Sequence, residues 1–330
     1  MREALINNNI KINQNSFYLS TSLIFITAAL FALLVGSGFY GYGNDFYAAY
    51  YKSNLDWGGT FDRLGYLVST FTINQLHLGV YIVTFFLSVS TGYLIREHLK
   101  YKKSYSLILF IILYLIAIHT WPIIMSTSNA MRQGLTMSLV FLIFIFISRK
   151  NFFLMFIFSI LGIFMHKSGL ILLAIIFFAN VLNFMQISSL KKNKEILYFI
   201  IGFFLFVVSY YFIKTFYPLE NNQPTKIING DFRWAFILIS SSYVFFSFFN
   251  SKIINNPYNL SLYFYSFVSP SLLFCGLNWE FERLGMMMLI PYIFAFGVIF
   301  NRSSYQYYLI ITFIVLLFLT IYMGMYSSLK

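Results

Sequence analysis

Apolar residues occupy this chain in long blocks, and polar positions gather in the gaps between blocks rather than alternating within them. The blocks approach the ~20 residues a helix needs to cross hydrocarbon, and they lack the two-residue period of a barrel strand. Helices are therefore expected over about 17–38, 75–95, 105–123, 130–148, 152–165, 168–185, 196–213, 233–250, 260–276, 284–300 and 306–325. The expected fold is all-α, a polytopic transmembrane helix bundle of about 11 spans (range 10–12) in one integral membrane domain, 1–330. A long loop, Phe39 to Asn74, follows the first span, and the stretch Phe61 to Asn74 within it reads as a short amphipathic helix. There is no repeat of fixed period and no appended soluble domain.

Composition strengthens this reading. Hydrophobic residues make up 59% of the chain and charged residues 10%, against about 25% charged in soluble domains. The first block, Phe17 to Gly38, is longer than a signal-peptide core and lacks a clean small-residue cleavage site, so it is expected to remain as a span. A single cysteine, Cys275, excludes an internal disulfide and a cysteine metal cage.

The net charge of +12 would suggest nucleic acid in a soluble protein. Its distribution here points instead to membrane orientation and then to an anionic ligand, with no nucleic-acid partner. With the N-terminus in the cytoplasm, 13 of the 22 Lys and Arg fall inside, among them Arg96, Lys100, Arg149, Lys150, Lys191 and Lys192. Three of the 10 acidic residues fall inside, although acidic residues contribute little to orientation. The non-cytoplasmic face then carries three loops: Phe39 to Asn74, Lys214 to Asp231 and Asn278 to Arg283.

Ionisable groups cluster at the outer span ends, where charge beside hydrocarbon is unusual. In "GYGNDFYAAYY", Gly41 to Tyr51, glycines permit a tight turn while Asp45, Tyr47 and Tyr50 offer a carboxylate and rings that hydrogen-bond and stack on a sugar. The same stretch also fits a hydrated loop with an interfacial tyrosine belt. In "STSNAMRQGLTM", Arg132 and Gln133 open a long apolar helix behind Ser128 and Asn129, both suited to cap it. An arginine fork at a helix N-terminus suits phosphate or pyrophosphate, and an interfacial arginine snorkelling to water is the plainer alternative.

"FMHKSGLILL", Phe164 to Leu173, interrupts two short apolar runs and places His166 at an outer turn. It fits a proton shuttle or a hydrogen-bond donor to phosphate, or a structural turn residue. "LNWEFERLGMMM" repeats the outer arginine with Arg283, and Arg233 in "GDFRWAF" adds positive potential to the same mouth. No metal and no other cofactor is expected, because His77, His98 and His119 form no His/Asp ligand set at helical spacing. An outward, basic, tyrosine-rimmed cavity in an apolar bundle suits a lipid-linked pyrophosphate carrying a sugar. Total aromatic content adds little, since Phe 42 beside many Ile, Asn and Lys also fits an AT-rich genome.

At these residues the chain resembles the EpsG-like, Wzy-type polysaccharide polymerases of bacterial envelopes. A "G-x-D…Y" loop is matched by Gly43, Asp45, Tyr47 and Tyr50, and an "R-Q-G-L/I-A" helix start by Arg132, Gln133, Gly134 and Leu135. An "F-x-H-x-S-x-L/I" turn is matched by Phe164, His166, Ser168 and Leu170, and a late "R…Y" segment by Arg283 and Tyr292. Each motif is short; the order and spacing carry the resemblance over most of the chain. Thr136 stands where the family often has alanine, and Asp62, Arg63 and Tyr66 stand near where it often has a glutamate beside an aromatic.

The resemblance implies polymerisation of undecaprenyl-pyrophosphate-linked oligosaccharide repeat units (O-antigen, capsule or exopolysaccharide) at the outer face of the bacterial plasma (inner) membrane. Undecaprenyl pyrophosphate leaves in each transfer. On that basis Arg132 and Arg283 are expected to bind pyrophosphate, aided by Gln133 and Arg233. His166 is expected to assist as donor or base, and Asp45 to orient or deprotonate the acceptor beside Tyr47 and Tyr50. Membrane lipid, a flippase and a chain-length regulator are the candidate partners. The rival classes are a sugar acyltransferase, a lipid-linked-sugar flippase or transporter, and an O-antigen ligase. The first predicts an Arg/His pair at the first span, which Phe17 to Tyr42 lacks.

Overall fold

The computed structural model describes residues 14–43, 45–51, 62–74, 76–101, 106–166 and 302–322, with isolated positions at 169, 204, 287, 289–291, 293 and 294. Among these residues the protein is helical, with no strand and a single isolated bridge between Ile73 and Leu76. The helices are α1 (Gln14–Gly36), α2 (Arg63–Ser69), α3 (Leu78–Tyr101), α4 (Leu107–Ile118), α5 (Trp121–Ser128), α6 (Met131–Ser148), α7 (Phe152–Met165) and α8 (Arg302–Tyr322). Among the described residues, three helices are long and apolar enough to cross a membrane: α1, α3 and α6. The bent pair α4 and α5 makes a fourth if it is one span.

Those limits follow the sequence blocks closely where polar residues end them sharply. Helix α6 begins one residue after the expected 130, and α7 covers the expected 152–165, because Arg149, Lys150 and Asn151 form a compact turn between them. Lys150 takes a positive φ of 56° there, and Asn151 caps α7 by accepting the Leu154 N–H at 3.1 Å. With 14 residues, α7 is about 21 Å long, short of the ~30 Å hydrocarbon core.

The expected span 105–123 is broken. Helix α4 stops at Ile118, the chain bends by 53°, and Pro122 sits in the first turn of α5, where a missing N–H costs nothing. The Trp121 N–H at the break donates to Thr320 Oγ1 of α8 at 2.9 Å, which satisfies a backbone group that hydrocarbon cannot. His119 is the C-cap of α4 and lies 2.7 Å from the Leu115 carbonyl through Nδ1, as expected of a satisfied helix histidine.

Helix α3 is the centre, flanked by α1, α4 and α6. Its Val83, Leu87 and Leu94 are fully buried, as are Phe110, Phe141 and Phe144 of the neighbours. Buried hydroxyls on α3 are paired within the bundle: Thr84 and Thr91 donate back to Val80 and Leu87, and Ser88 meets Tyr114 of α4 at 2.9 Å. The Ser88–Tyr114 bond runs between helices, the kind that holds them together where lipid offers no hydrophobic contrast. Outward residues of α1, including Ile26, Leu30 and Leu33, are apolar and exposed, as a lipid-facing surface requires.

The two ends of the bundle differ. One end carries Glu97 and Arg149 in a two-bonded pair at 2.8 and 3.1 Å, with Arg96 buried against Thr21 and Tyr93. The other carries the loop after α1, helix α2, the start of α6 and the end of α7. The expected spans 168–185, 196–213, 233–250, 260–276 and 284–300 lie outside the described residues apart from the isolated positions.

Candidate functional site

The chain leaves α1 through a turn in which Gly38 and Gly41 take φ of 80° and 74°. It then folds back onto the junction of α5 and α6. The Gly43 N–H donates to the Ser128 carbonyl at 3.3 Å, and the Asp45 N–H donates to Asn129 Oδ1 at 2.8 Å. A Cβ on Gly43 would overlap the Asn129 side chain, so this docking requires glycine.

The docking corrects one expectation. Neither Ser128 nor Asn129 caps α6: the N-cap is Ala130, without a side-chain bond. Asn129 is engaged by the loop, and Ser128 Oγ donates to the Ile124 carbonyl at 3.4 Å. Among the described residues the start of α6 thus carries no side-chain cap, the arrangement that favours anions.

Beyond Asp45 a π-helical turn, Phe46–Tyr50, buries Tyr50 beneath the loop and brings it to Arg132. Arg132 Nε donates to Tyr50 Oη at 3.4 Å, Nη1 lies 3.5 Å from Asp62 Oδ2, and the guanidinium stands 5.9 Å from the Tyr66 ring centroid. Tyr66 Oη in turn donates to the Ala49 carbonyl at 3.0 Å, closing the cluster between the π-turn, α2 and α6. Burial pushes the Tyr66 phenol above its ordinary pKa despite the opposing pull of Arg132, so it is a neutral donor rather than a base.

Both polar contacts of Arg132 are long, since charge-assisted N–H···O bonds settle near 2.7–2.9 Å. Among the described residues they engage only part of a guanidinium that carries five donors. Its side chain is 20% exposed.

His166 follows α7 as its C-cap in extended backbone. The preceding Met165 carbonyl lies against Gly65 of α2, closely enough that any Cβ at position 65 would collide with backbone. Gly169, whose N–H donates to the His166 carbonyl at 2.8 Å, packs beside Thr136, one turn into α6 from Arg132. The His166 turn thus belongs to the same end as Arg132, Asp62 and Asp45.

Tyr47 and Tyr51 are about half exposed and form an aromatic shelf with Phe46 and His77. Tyr51 lies 4.9 Å from the His77 ring and 6.0 Å from Tyr47. Gln133 points elsewhere: adjacent helical residues do not share a face, and it is buried at 1% exposure with neither amide atom hydrogen-bonded among the described residues. Arg233 and Arg283, with Tyr292, lie outside the described residues. Among the described residues no group of three or more His, Cys, Asp or Glu could hold a metal ion.

Asp62, Tyr66 and Asn129 join the site through contacts made in the fold. Asp62 and Tyr66 stand four apart, the spacing that puts two side chains on one helical face, and that spacing was their available signal. The sequence profile of the EpsG family matches residues 16–329. The chain belongs to the EpsG family. EpsG proteins are Wzy-type polysaccharide polymerase-like membrane proteins, and membership supports a polymerase-type role in polysaccharide biosynthesis. No curated protein and no solved structure matches the chain. In this EpsG protein the R-Q-G-L start is the head of α6, and the loop motif is the segment docked upon it.

Proposed function

We propose that this EpsG protein polymerises undecaprenyl-pyrophosphate-linked oligosaccharide repeat units at the outer face of the bacterial plasma membrane, with its N-terminus in the cytoplasm. The observation that carries the reading is Arg132 at the uncapped head of α6, loosely held by Tyr50 and Asp62 beside an exposed tyrosine shelf. An anion-binding group and sugar-stacking rings at one end of an apolar bundle suit a substrate that is phosphate, glycan and lipid at once.

In the reaction, a hydroxyl of one repeat unit attacks the anomeric carbon of the growing chain. A carbon–oxygen bond forms there, and the bond to the pyrophosphate oxygen breaks with its electron pair leaving on undecaprenyl pyrophosphate. The hydroxyl proton passes to Asp45 or His166, the two titratable groups assigned to the acceptor side. Pyrophosphate is already a good leaving group, so the main demand is to hold its charge, which Arg132 and the α6 N–H groups supply. Gln133, buried on the other side of the same helix start, is given no contact with the pyrophosphate. Arg283 and Arg233 are assigned to the same mouth from their sequence positions alone.

A deletion strain tests this reading. Loss of long-chain surface glycan with accumulation of one lipid-linked repeat is expected. Retention of long polymer, or loss of outward-facing lipid-linked repeat, would overturn it in favour of no polymerase role or of a flippase.

A further inference from the structure

An apolar groove of about 520 Å³ runs beneath α2, between α3, α6 and α7. On α6 its wall is Leu135, Leu139 and Leu142. At 3.6 residues per turn these positions and Arg132 share a sector of about 80°, with Arg132 at the top and the leucines descending about 10 Å below Leu135. Phe158 and Met165 of α7 form the opposite wall, and α2 contributes Leu67 as a roof. Leu67 is 48% exposed and Phe86 of α3, on the rim, 54%, so the groove opens sideways, toward lipid in a membrane.

The lining dictates the occupant. Its polar residue among the described ones is Ser138, and the Ser138 hydroxyl donates to the Gly134 carbonyl at 2.9 Å. Whatever lies there must be hydrocarbon, since a polar group would lose its water without gaining a partner. The cation at the head of the same helical stripe demands that the hydrocarbon end in an anion. The volume lies within the range of small-molecule sites.

We infer that the head-proximal part of the isoprenoid tail of the substrate's lipid carrier lies in this groove, with its phosphate at Arg132. The inference rests on the polymerase reading above and adds where the carrier is held. A tail fixed there sets the depth of the anomeric carbon relative to the loop that bears Asp45, and lateral opening lets the released carrier diffuse back into the bilayer.

The test uses the full-length protein in nanodiscs of phosphatidylethanolamine and phosphatidylglycerol. Undecaprenyl phosphate bearing a diazirine in its first isoprene units is photolysed, and the cross-linked peptides are mapped. Cross-links are expected on α6 between Leu135 and Leu142 and on α7 between Phe158 and Met165. Leu139→Trp, which fills the groove, should lower their yield about tenfold, and Leu115→Trp, on the exposed face of α4, should leave it unchanged. Should Leu139→Trp not fold, Leu139→Phe should lower the yield about threefold. Cross-links scattered over outward faces would overturn the inference. So would equal labelling of the groove by a phosphatidylglycerol probe, which would make it a site for bulk lipid. If the groove is not labelled while the deletion strain still loses polymer, the tail site alone fails. If the groove is labelled while polymer persists, the lipid site stands and the polymerase reading falls.

Discussion

Arg132 owes its behaviour to partners that hold it without saturating it. Asp62 stands at 3.5 Å, close enough to orient the guanidinium and too far for a strong bond. Asp62→Asn keeps the shape and removes the charge. A partly exposed pair is worth about 1 kcal/mol at most, so polymer synthesis at equal protein level should fall no more than about fivefold. Loss of all polymer in that variant, measured on a glycan gel, would instead make Asp62 a participant in the chemistry. The motif residues were legible in the sequence because each carried a chemical oddity: an arginine or histidine beside hydrocarbon, or glycines around an aspartate. Asp62 was not, because its meaning lies in a contact with another segment. Capping by Asn129 failed as a local expectation for the same reason, since its carboxamide is taken by a loop 84 residues earlier.

Close backbone approach assembles the site at the level of elements. Helix α2 buries Gly65, Tyr66 and Ser69 and leaves Leu64 and Leu67 exposed. The buried face is small or hydroxyl-bearing, while the exposed face carries Arg63 beside Leu64 and Leu67. Gly65→Ala would push α2 from the Met165 carbonyl, costing about 1–3 kcal/mol. A lowered thermal midpoint in detergent, with reduced polymer because Asp62 and Tyr66 move with α2, is the expected outcome. An unchanged midpoint would show that α2 does not dock there. Helix limits at 131–148 and 152–165 were readable because Arg149, Lys150 and Asn151 cannot enter hydrocarbon. The break at His119 and Thr120 was not, because Trp121, Ile123 and Ile124 continue the apolar run, and the partner that takes up the Trp121 N–H, Thr320, is 199 residues away.

At the largest scale, among the described residues, the Glu97–Arg149 pair and the candidate site lie at opposite ends of the bundle. Glu97 and Arg149 close the end assigned to the cytoplasm, while the loop, α2 and the heads of α6 and α7 meet at the other. In a Cys275→Ser background, Tyr47→Cys should react with an impermeant maleimide in intact cells and Lys150→Cys only after permeabilisation. The opposite pattern would invert the topology and place the site in the cytoplasm. Whether Arg132 holds the leaving pyrophosphate is read from complementation of the deletion strain with Arg132→Ala at wild-type membrane level. Losing one preorganised donor to developing charge typically costs about 10²- to 10³-fold, so a single lipid-linked repeat without a polymer ladder is predicted. A full-length ladder from that variant would contradict the assignment.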